Sequence, residues 1–298
     1  MVKRSKASLE DVVDWCNLVQ AASRAGKGKR DRIAVRRFFS NFDFEINRLR
    51  DTVLSGNVRL GEFRRFLVHD PKPREICAPA FRERVLHHAL INVIGPTLDR
   101  VLIDDTYACR IGKGSLAAVK RVQHHARRYS WFGKLDVRKF FGSVLHSTLA
   151  EPIERRIKDQ RLLDLIWQVI DCYHETPGRG LPIGTLTSQN FANFYLSGFD
   201  HWLAGQTEVR GTVRYMDDVV RWCDCGHDAR EIADRATQYL DHKLSLAVRD
   251  PIVINRSNHG VTYCGYRVFP GTIKLTQRRK RRYQHLRAEC EYDFRRGT

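Results

Sequence analysis

The sequence predicts an α+β protein in which antiparallel strands pack with helices. Helical apolar periodicity recurs along the chain, and short strand-like runs are separated by turn signals. The two kinds of segment alternate without the regular strand–helix–strand spacing of a parallel sheet. The chain has 298 residues, 42% of them hydrophobic, enough for a substantial core. Domains typically run about 100–200 residues, so this length fits one large or two ordinary domains. No internal repeat is evident.

Apolar residues recur three or four apart over residues 9–22 and 42–55, which predicts two helices, the second stopped by Gly56. Between them, residues 24–32 (Arg-Ala-Gly-Lys-Gly-Lys-Arg-Asp-Arg) read as a glycine-punctuated basic loop or a solvated charged face. Residues 63–69 read as a strand and Asp70-Pro-Lys-Pro-Arg74 as a turn, so a strand-turn-strand unit presents Lys72 and Arg74. A helix over 83–93 is expected to end before Gly95-Pro96. Residues 115–129 predict a helix opened by a Gly-Lys-Gly loop, 132–137 a strand, and 149–172 further helix. Residues 190–203 continue helical, 212–222 predict a β-hairpin, 229–244 a helix and 261–269 a strand. From Gln277 onward the chain resembles a basic helix.

Lys and Arg number 52 against 34 Asp and Glu, a formal net charge of +18, which points to polyanionic partners. With 29% charged residues, 9 Pro and no low-complexity tract, a wholly disordered chain, a collagen and a small disulfide scaffold are excluded. The longest apolar runs, such as residues 162–170, fall well short of the roughly 20 residues that span a bilayer, so no membrane partner is expected. The start lacks a secretory pattern, and a cytoplasmic location is the expectation. Eight scattered cysteines suit reduced thiols better than a disulfide framework. Cys223, Cys225 and His227 form the one tight cluster, read as a strand end entering a turn because a fourth ligand and a normal zinc spacing are missing.

The chemistry lies in the carboxylates. Arg214-Tyr-Met-Asp-Asp-Val-Val-Arg221 sets two acidic residues among strand formers, and a two-residue turn is expected to place Asp217 and Asp218 at a hairpin tip. Neighbours on an extended chain face opposite ways, so Asp217 is assigned to the site and Asp218 to a supporting or weaker position. Asp136 ends an apolar strand segment, where burial is costly without a compensating cation. Facing each other on adjacent strands, Asp136 and Asp217 suit two Mg²⁺ ions roughly 3.5–4 Å apart, with Mn²⁺ as a substitute, and the carbonyl of Val137 as a further oxygen ligand. That is the chemistry of nucleotidyl transfer.

These residues carry a resemblance that covers nearly the whole chain: it resembles a reverse transcriptase, with Tyr215-Met-Asp-Asp218 matching the polymerase hairpin of that family. Asp136 with Phe140-Phe141 resembles the first catalytic block, Lys72-Pro-Arg74 the fingers strand, and Cys264-Gly265-Tyr266 the primer grip. Residues 180–193, with Ile183-Gly184 and Ser188-Gln189 where most relatives carry Gln-Gly and Ser-Pro, are similar to reverse transcriptases of diversity-generating retroelements. Thr106-Tyr-Ala-Cys-Arg110, followed by Gly112-Lys-Gly114, is similar to the same group.

The resemblance implies a right-hand polymerase fold: N-terminal helices and fingers over residues 1–130, a palm with an antiparallel sheet over 131–266, and a short basic thumb-like segment over 267–298. It implies RNA-directed DNA polymerase activity on template RNA, primer or cDNA and dNTPs, in a bacterial or phage-encoded context, with errors opposite adenine. Lys72 and Arg74 are expected to neutralise the triphosphate, Arg through its planar fork. Phe141 resembles the steric gate against a ribose 2′-hydroxyl, one of Phe140 and Phe141 being core. Gly184, Gln189, Tyr215 and Met216 are expected at the nucleotide. Ile183 removes an amide hydrogen bond that relatives place there, which is expected to lower fidelity. A small basic helical accessory protein is a candidate partner, because few residues follow Tyr266. The late palm lysine of the family has no clear counterpart; Arg249 stands nearby. The alternatives are a retron or group II intron-like reverse transcriptase, an RNA-directed RNA polymerase, which a large Phe141 disfavours, and an inactive polymerase-like RNA-binding scaffold.

Overall fold

The structure, a computed structural model, describes residues 4–69 and 73–296. Helix α1 (Leu9–Val13) is opened by a capping box, in which the Ser8 hydroxyl accepts the Asp11 amide and the Asp11 carboxylate accepts the Ser8 amide. The single helix expected over 9–22 is broken after α1, because the Asp14 carboxylate accepts the Asn17 amide and so starts α2 (Trp15–Gly26) afresh. Helices α3 (Ile33–Ser40) and α4 (Phe42–Leu54) follow, and Gly56 takes a positive φ of 73° just after. Strands β1 (Arg64–His69) and β2 (Pro73–Ala78) pair antiparallel, with Val68 opposite Arg74. Lys72 and the turn around it lie outside the described residues.

Helix α5 (Phe81–Asp99) runs through Gly95-Pro96 rather than ending before them. Pro96 removes a backbone bond and its ring crowds the carbonyl four residues before it, a cost that the burial of Ile94 and Leu98 offsets. Next come α6 (Ser115–Arg128), β3 (Trp131–Asp136), the one-turn α7 (Phe140–Ser143), α8 (His146–Glu154) and α9 (Gln160–Asp171). The Thr185 hydroxyl caps α10 (Leu186–Tyr195), and α11 (Ser197–Ala204) follows. Strands β4 (Gly211–Tyr215) and β5 (Asp218–Cys223) form the expected hairpin, and α12 (Gly226–Leu244) leads to β6 (Val253–Arg256). The strand expected over 261–269 is two strands, β7 (Val261–Tyr263) and β8 (Tyr266–Val268). Between them Cys264 and Gly265 both take positive φ, 44° and 79°, the backbone of a two-residue hairpin turn. Strand β9 (Ile273–Leu275) and α13 (Gln277–Arg296) close the described chain. No helix among the described residues is long and apolar enough to cross a membrane.

The elements gather into two compact units, each built from discontinuous stretches. The first comprises Met1–Leu102, Arg138–Gly198 and Asp241–Leu246. Its centre is α5, against which α1, α2, α3, α4 and α10 pack. The second comprises Ile103–Val137, Phe199–Leu240 and Ala247–Thr298. It holds a four-stranded antiparallel sheet in the order β4-β5-β3-β6 and a three-stranded sheet β7-β8-β9. Helix α6 packs against both sheets, and Val119, Val122, Phe132, Val213, Trp222, Tyr263 and Val268 share one buried core.

In that core His125 of α6 is stacked on Trp222, ring centroids 4.9 Å apart, and its pKa is pushed down to about 4, first by burial and then by Arg121. Gly211 opens β4 beneath this ring, and a Cβ there would overlap it. Gly211→Ala is therefore expected to destabilise the chain by about 1–3 kcal/mol, read as a lowered urea midpoint at unchanged slope.

Candidate active site

The acidic residues converge in the second unit because of strand register. Asp136 ends β3 and Asp218 opens β5, and the two are direct cross-strand partners. Directly opposed residues of an antiparallel pair project to one face, with Cβ atoms about 4.5–5.5 Å apart. Asp218 therefore shares a face with Asp136, which corrects the expectation that it occupies the tip and looks away. The hairpin turn is Met216-Asp217, flanked by the pair Tyr215 and Asp218. Asp217 lies in a turn, where strand alternation does not apply. Its carbonyl accepts the Val137 amide at 3.4 Å, which ties the tip to the residue after Asp136.

Two cations that no sequence motif marks complete the cluster. Lys134 sits two residues before Asp136 on the same face of β3 and reaches diagonally to Asp218, its Nζ 2.9 Å from Oδ2. Arg249 donates its amide to the Asp136 carbonyl at 2.8 Å and places its guanidinium 3.2 Å from Oδ2 of Asp136. The only sequence signal for Lys134 is its i−2 spacing from Asp136; for Arg249 it is the nearby gap where the family carries a lysine. Arg249 stands against the carboxylate as a counter-charge.

The electrostatics follow from this crowding. Burial pushes the Asp218 carboxyl up from 3.8 to about 6, Lys134 pulls it down, and the charges of Asp136 and Asp217 push it up again. Its Oδ1 is buried with no hydrogen-bond partner. A buried carboxylate oxygen without a donor is costly, and a hard divalent cation is a group that carboxylate oxygens accommodate. Asp136, Asp217 and Asp218 thus fit a divalent ion by their donor chemistry.

The expected primer-grip residues belong to the same unit. The buried Tyr263 hydroxyl donates to the Asp218 carbonyl at 3.0 Å and lies 3.3 Å from the Val213 carbonyl, so the β7–β8 hairpin is pinned to the strands that carry the acidic residues. At its turn, the Gly265 carbonyl accepts the Thr276 hydroxyl at 3.1 Å, and the Arg279 guanidinium lies 5.0 Å from the centroid of the Tyr266 ring.

The remaining expected site residues belong to the first unit. Arg74 is exposed on β2. Phe140 is buried and Phe141 half-buried, their rings edge-on at 5.7 Å. They belong to α7, entered through Lys139 at φ 47°, so a helical turn and not strand alternation separates their environments. The Ile183 carbonyl accepts the Cys77 amide at 2.7 Å, which joins this block to β2. Gly184, at φ 122°, has the Cys77 carbonyl 3.0 Å from where a Cβ would stand. Its lack of a side chain is explained by that close approach to β2. Gln189 is half-buried on α10.

Two other clusters stand apart from this chemistry. Cys223 ends β5 buried, whereas Cys225 and His227 are exposed at the start of α12. His146, Asp171 and His174 of the first unit bring ligand atoms within 4.8 Å of one another. There the Gly178 amide donates to His174 Nδ1 at 3.2 Å, which leaves the proton on the nitrogen that faces Asp171.

Residues 69–248 match the family described as reverse transcriptase (RNA-dependent DNA polymerase). Protein YkfC of Escherichia coli is 27% identical over 172 residues, covering 53% of this chain and 45% of that protein. The group II intron-encoded protein LtrA of Lactococcus lactis is 25% identical over 139 residues, covering 44% and 23%. The chain thus spans under half the length of these curated relatives. The structure of apo telomerase from Candida tropicalis, truncated from its C-terminal domain, superposes with a TM-score of 0.54 at 13% identity, over 72% of this chain and 55% of that one. The fold is accordingly the right-hand polymerase fold. With the family match extending over most of the chain and spanning the strands that bring its acidic residues together, the chain belongs to the reverse transcriptase (RNA-dependent DNA polymerase) family.

Proposed function

We propose that this RNA-directed DNA polymerase is of the diversity-generating retroelement type, copying a template RNA into error-bearing cDNA from a primer with dNTPs. The observation that supports the chemistry is the convergence of Asp136 and Asp218 in register, with Asp217 in the adjoining turn and one Asp218 oxygen without a partner. Reverse transcriptases use divalent metal ions, and here the proposed pair is Mg²⁺, which Mn²⁺ can replace. When bound, such ions stabilise charge on the attacking and leaving oxygens of nucleotidyl transfer.

The reaction forms a bond between the primer 3′ oxygen and the α-phosphorus, breaks the bond from that phosphorus to its bridging oxygen, and releases pyrophosphate and the 3′-hydroxyl proton. Asp136, Asp217 and Asp218 are the proposed ion ligands, with the Val137 carbonyl beside them. Lys134 neutralises one Asp218 oxygen and leaves the other for an ion. Arg249 offsets the charge of Asp136, and as a strongly basic guanidinium it is unsuited to hand a proton to pyrophosphate. Lys72 and Arg74 are proposed to bind the triphosphate, Phe141 to exclude ribonucleotides, Tyr215 and Met216 to contact the nucleotide, and Cys264, Gly265 and Tyr266 to hold the primer. In this reading residues 1–130 form N-terminal helices and fingers, 131–266 the palm and 267–298 a basic thumb segment. A small basic helical protein is the proposed accessory partner.

Ile183-Gly184 and Ser188-Gln189 support the diversity-generating assignment. LtrA is group II intron-encoded, but at 25% identity over 23% of its length it does not reach the subtype. Adenine bias rests on the resemblance alone; lowered fidelity rests on the missing amide. With RNA template, primer and Mg²⁺, Asp217→Asn is expected to lower dNTP incorporation at least about a hundredfold, a loss of roughly 2.7 kcal/mol or more of transition-state stabilisation. Sequenced wild-type cDNA should carry its errors mainly opposite adenine, and Ile183→Gln should reduce them severalfold. Equal error at all four bases removes the subtype while leaving the polymerase.

The raised Asp218 pKa has a defined sign. Its contribution to the stability of the ion-free chain is fully present below pH 3.8 and is lost as pH rises through about 6. Without divalent ions, Asp218→Asn should match or exceed wild-type stability at pH 7 by about 1–3 kcal/mol and lose that advantage at pH 4, as read by urea unfolding at the two pH values.

A further inference from the structure

Beneath the acidic turn lies an ion pair that nothing in the proposed chemistry uses. Arg214 and Asp200 are 0% and 2% exposed. The Arg214 Nε donates to Asp200 Oδ1 at 2.8 Å and Nη2 donates to Oδ2 at 2.7 Å, a two-point fork. The Thr106 hydroxyl donates to the same Oδ2 at 3.1 Å. Backbone bonds hold the arginine from the other side: its amide donates to the Asp105 carbonyl and its carbonyl accepts the Tyr107 amide, both at 2.9 Å. The Thr106-Tyr-Ala-Cys-Arg110 motif, conspicuous in the sequence but without a catalytic role, is thus the brace beside β4.

The remaining arginine nitrogen, Nη1, donates to the Met216 carbonyl at 2.9 Å. That carbonyl belongs to the peptide bond leading into Asp217. Met216 has φ 59°, a left-handed backbone that costs a non-glycine residue about 1–3 kcal/mol and persists only where the surroundings enforce it. A buried ion pair generally gains little over apolar residues of the same volume, so one held here by a third donor and aimed at a strained turn calls for a specific purpose.

We propose that Arg214, oriented by Asp200 and Thr106, is a positioning residue for Asp217: its hydrogen bond to the Met216 carbonyl fixes the turn peptide and so holds the Asp217 carboxylate in place for the divalent ion. The inference rests on the reading of Asp217 as an ion ligand. Lysine cannot replace this arginine, because a single ammonium does not span both the carboxylate fork and the turn carbonyl.

The test is Mn²⁺ binding to the full chain without nucleic acid, followed by electron paramagnetic resonance, with thermal unfolding measured in parallel. Asp217→Asn should weaken Mn²⁺ binding and so checks the underlying reading. The double variant Asp200→Leu with Arg214→Met replaces the pair by apolar side chains, so its unfolding midpoint should stay near wild type while its Mn²⁺ affinity falls about tenfold, the scale of lost outer contacts at metal sites. Arg214→Lys should fall in the same direction and decides the matter if the double variant does not fold. Wild-type Mn²⁺ affinity in a folded double variant, or in Arg214→Lys where the double variant is unfolded, overturns the positioning role when Asp217→Asn is weakened. Undiminished binding in Asp217→Asn overturns the ligand reading instead.

Discussion

Repulsion among three neighbouring carboxylates is the constraint around which the second unit is arranged. Like charges directly opposed across an antiparallel pair are destabilising, and Asp136 and Asp218 occupy such a pair, with Asp217 in the adjoining turn. Lys134 and Arg249, each within about 3 Å of one carboxylate oxygen, offset this repulsion. Both pairs are partly exposed to water, so they are modest stabilisers. One buried oxygen of Asp218 stays without a partner. In the proposed chemistry a divalent cation relieves that residual cost.

Rigidity beneath the cluster comes from polar groups that apolar packing alone does not supply. The Tyr263 hydroxyl ties the β7–β8 hairpin to the Asp218 carbonyl, and the Arg214–Asp200 fork reaches the Met216 carbonyl. Both contacts act on the backbone of the acidic hairpin rather than on its carboxylates. Holding a peptide is an effective way to aim a short side chain, since Asp has few torsions left once its backbone is set. Strain at Met216 is then sustained by neighbours with buried partners of their own.

Sequence patterning read most of the strands and helices, and its misses share a physical origin. The helix expected to stop before Gly95-Pro96 continues because burial of Ile94 and Leu98 offsets a proline in its last turn. The helix expected over 9–22 breaks because Asp14 bonds the backbone ahead of it. In the site, the acidic residues and the hairpin were legible from residue type and spacing. Lys134, Asp200 and Tyr263 were not, and Arg249 was legible only beside a missing lysine, since each acts through partners distant in sequence or through a diagonal contact that only strand pairing creates. Gly184 was legible as a glycine with a reason; the reason, close approach to the Cys77 carbonyl, required β2 to be in place.

The amino-acid sequence by itself determined the family resemblance, the basic character, the Tyr215-Met-Asp-Asp218 hairpin and the presence of Asp136, because these depend on residue identity and short-range order. Tertiary structure alone decided that Asp218 faces the same way as Asp136, that Met216 and Asp217 form the tip, and that buried Arg214 braces it. Register is the physical reason: a shift of one residue between β3 and β5 would turn every side chain of a strand to the opposite face, and no local pattern of the chain specifies that alignment.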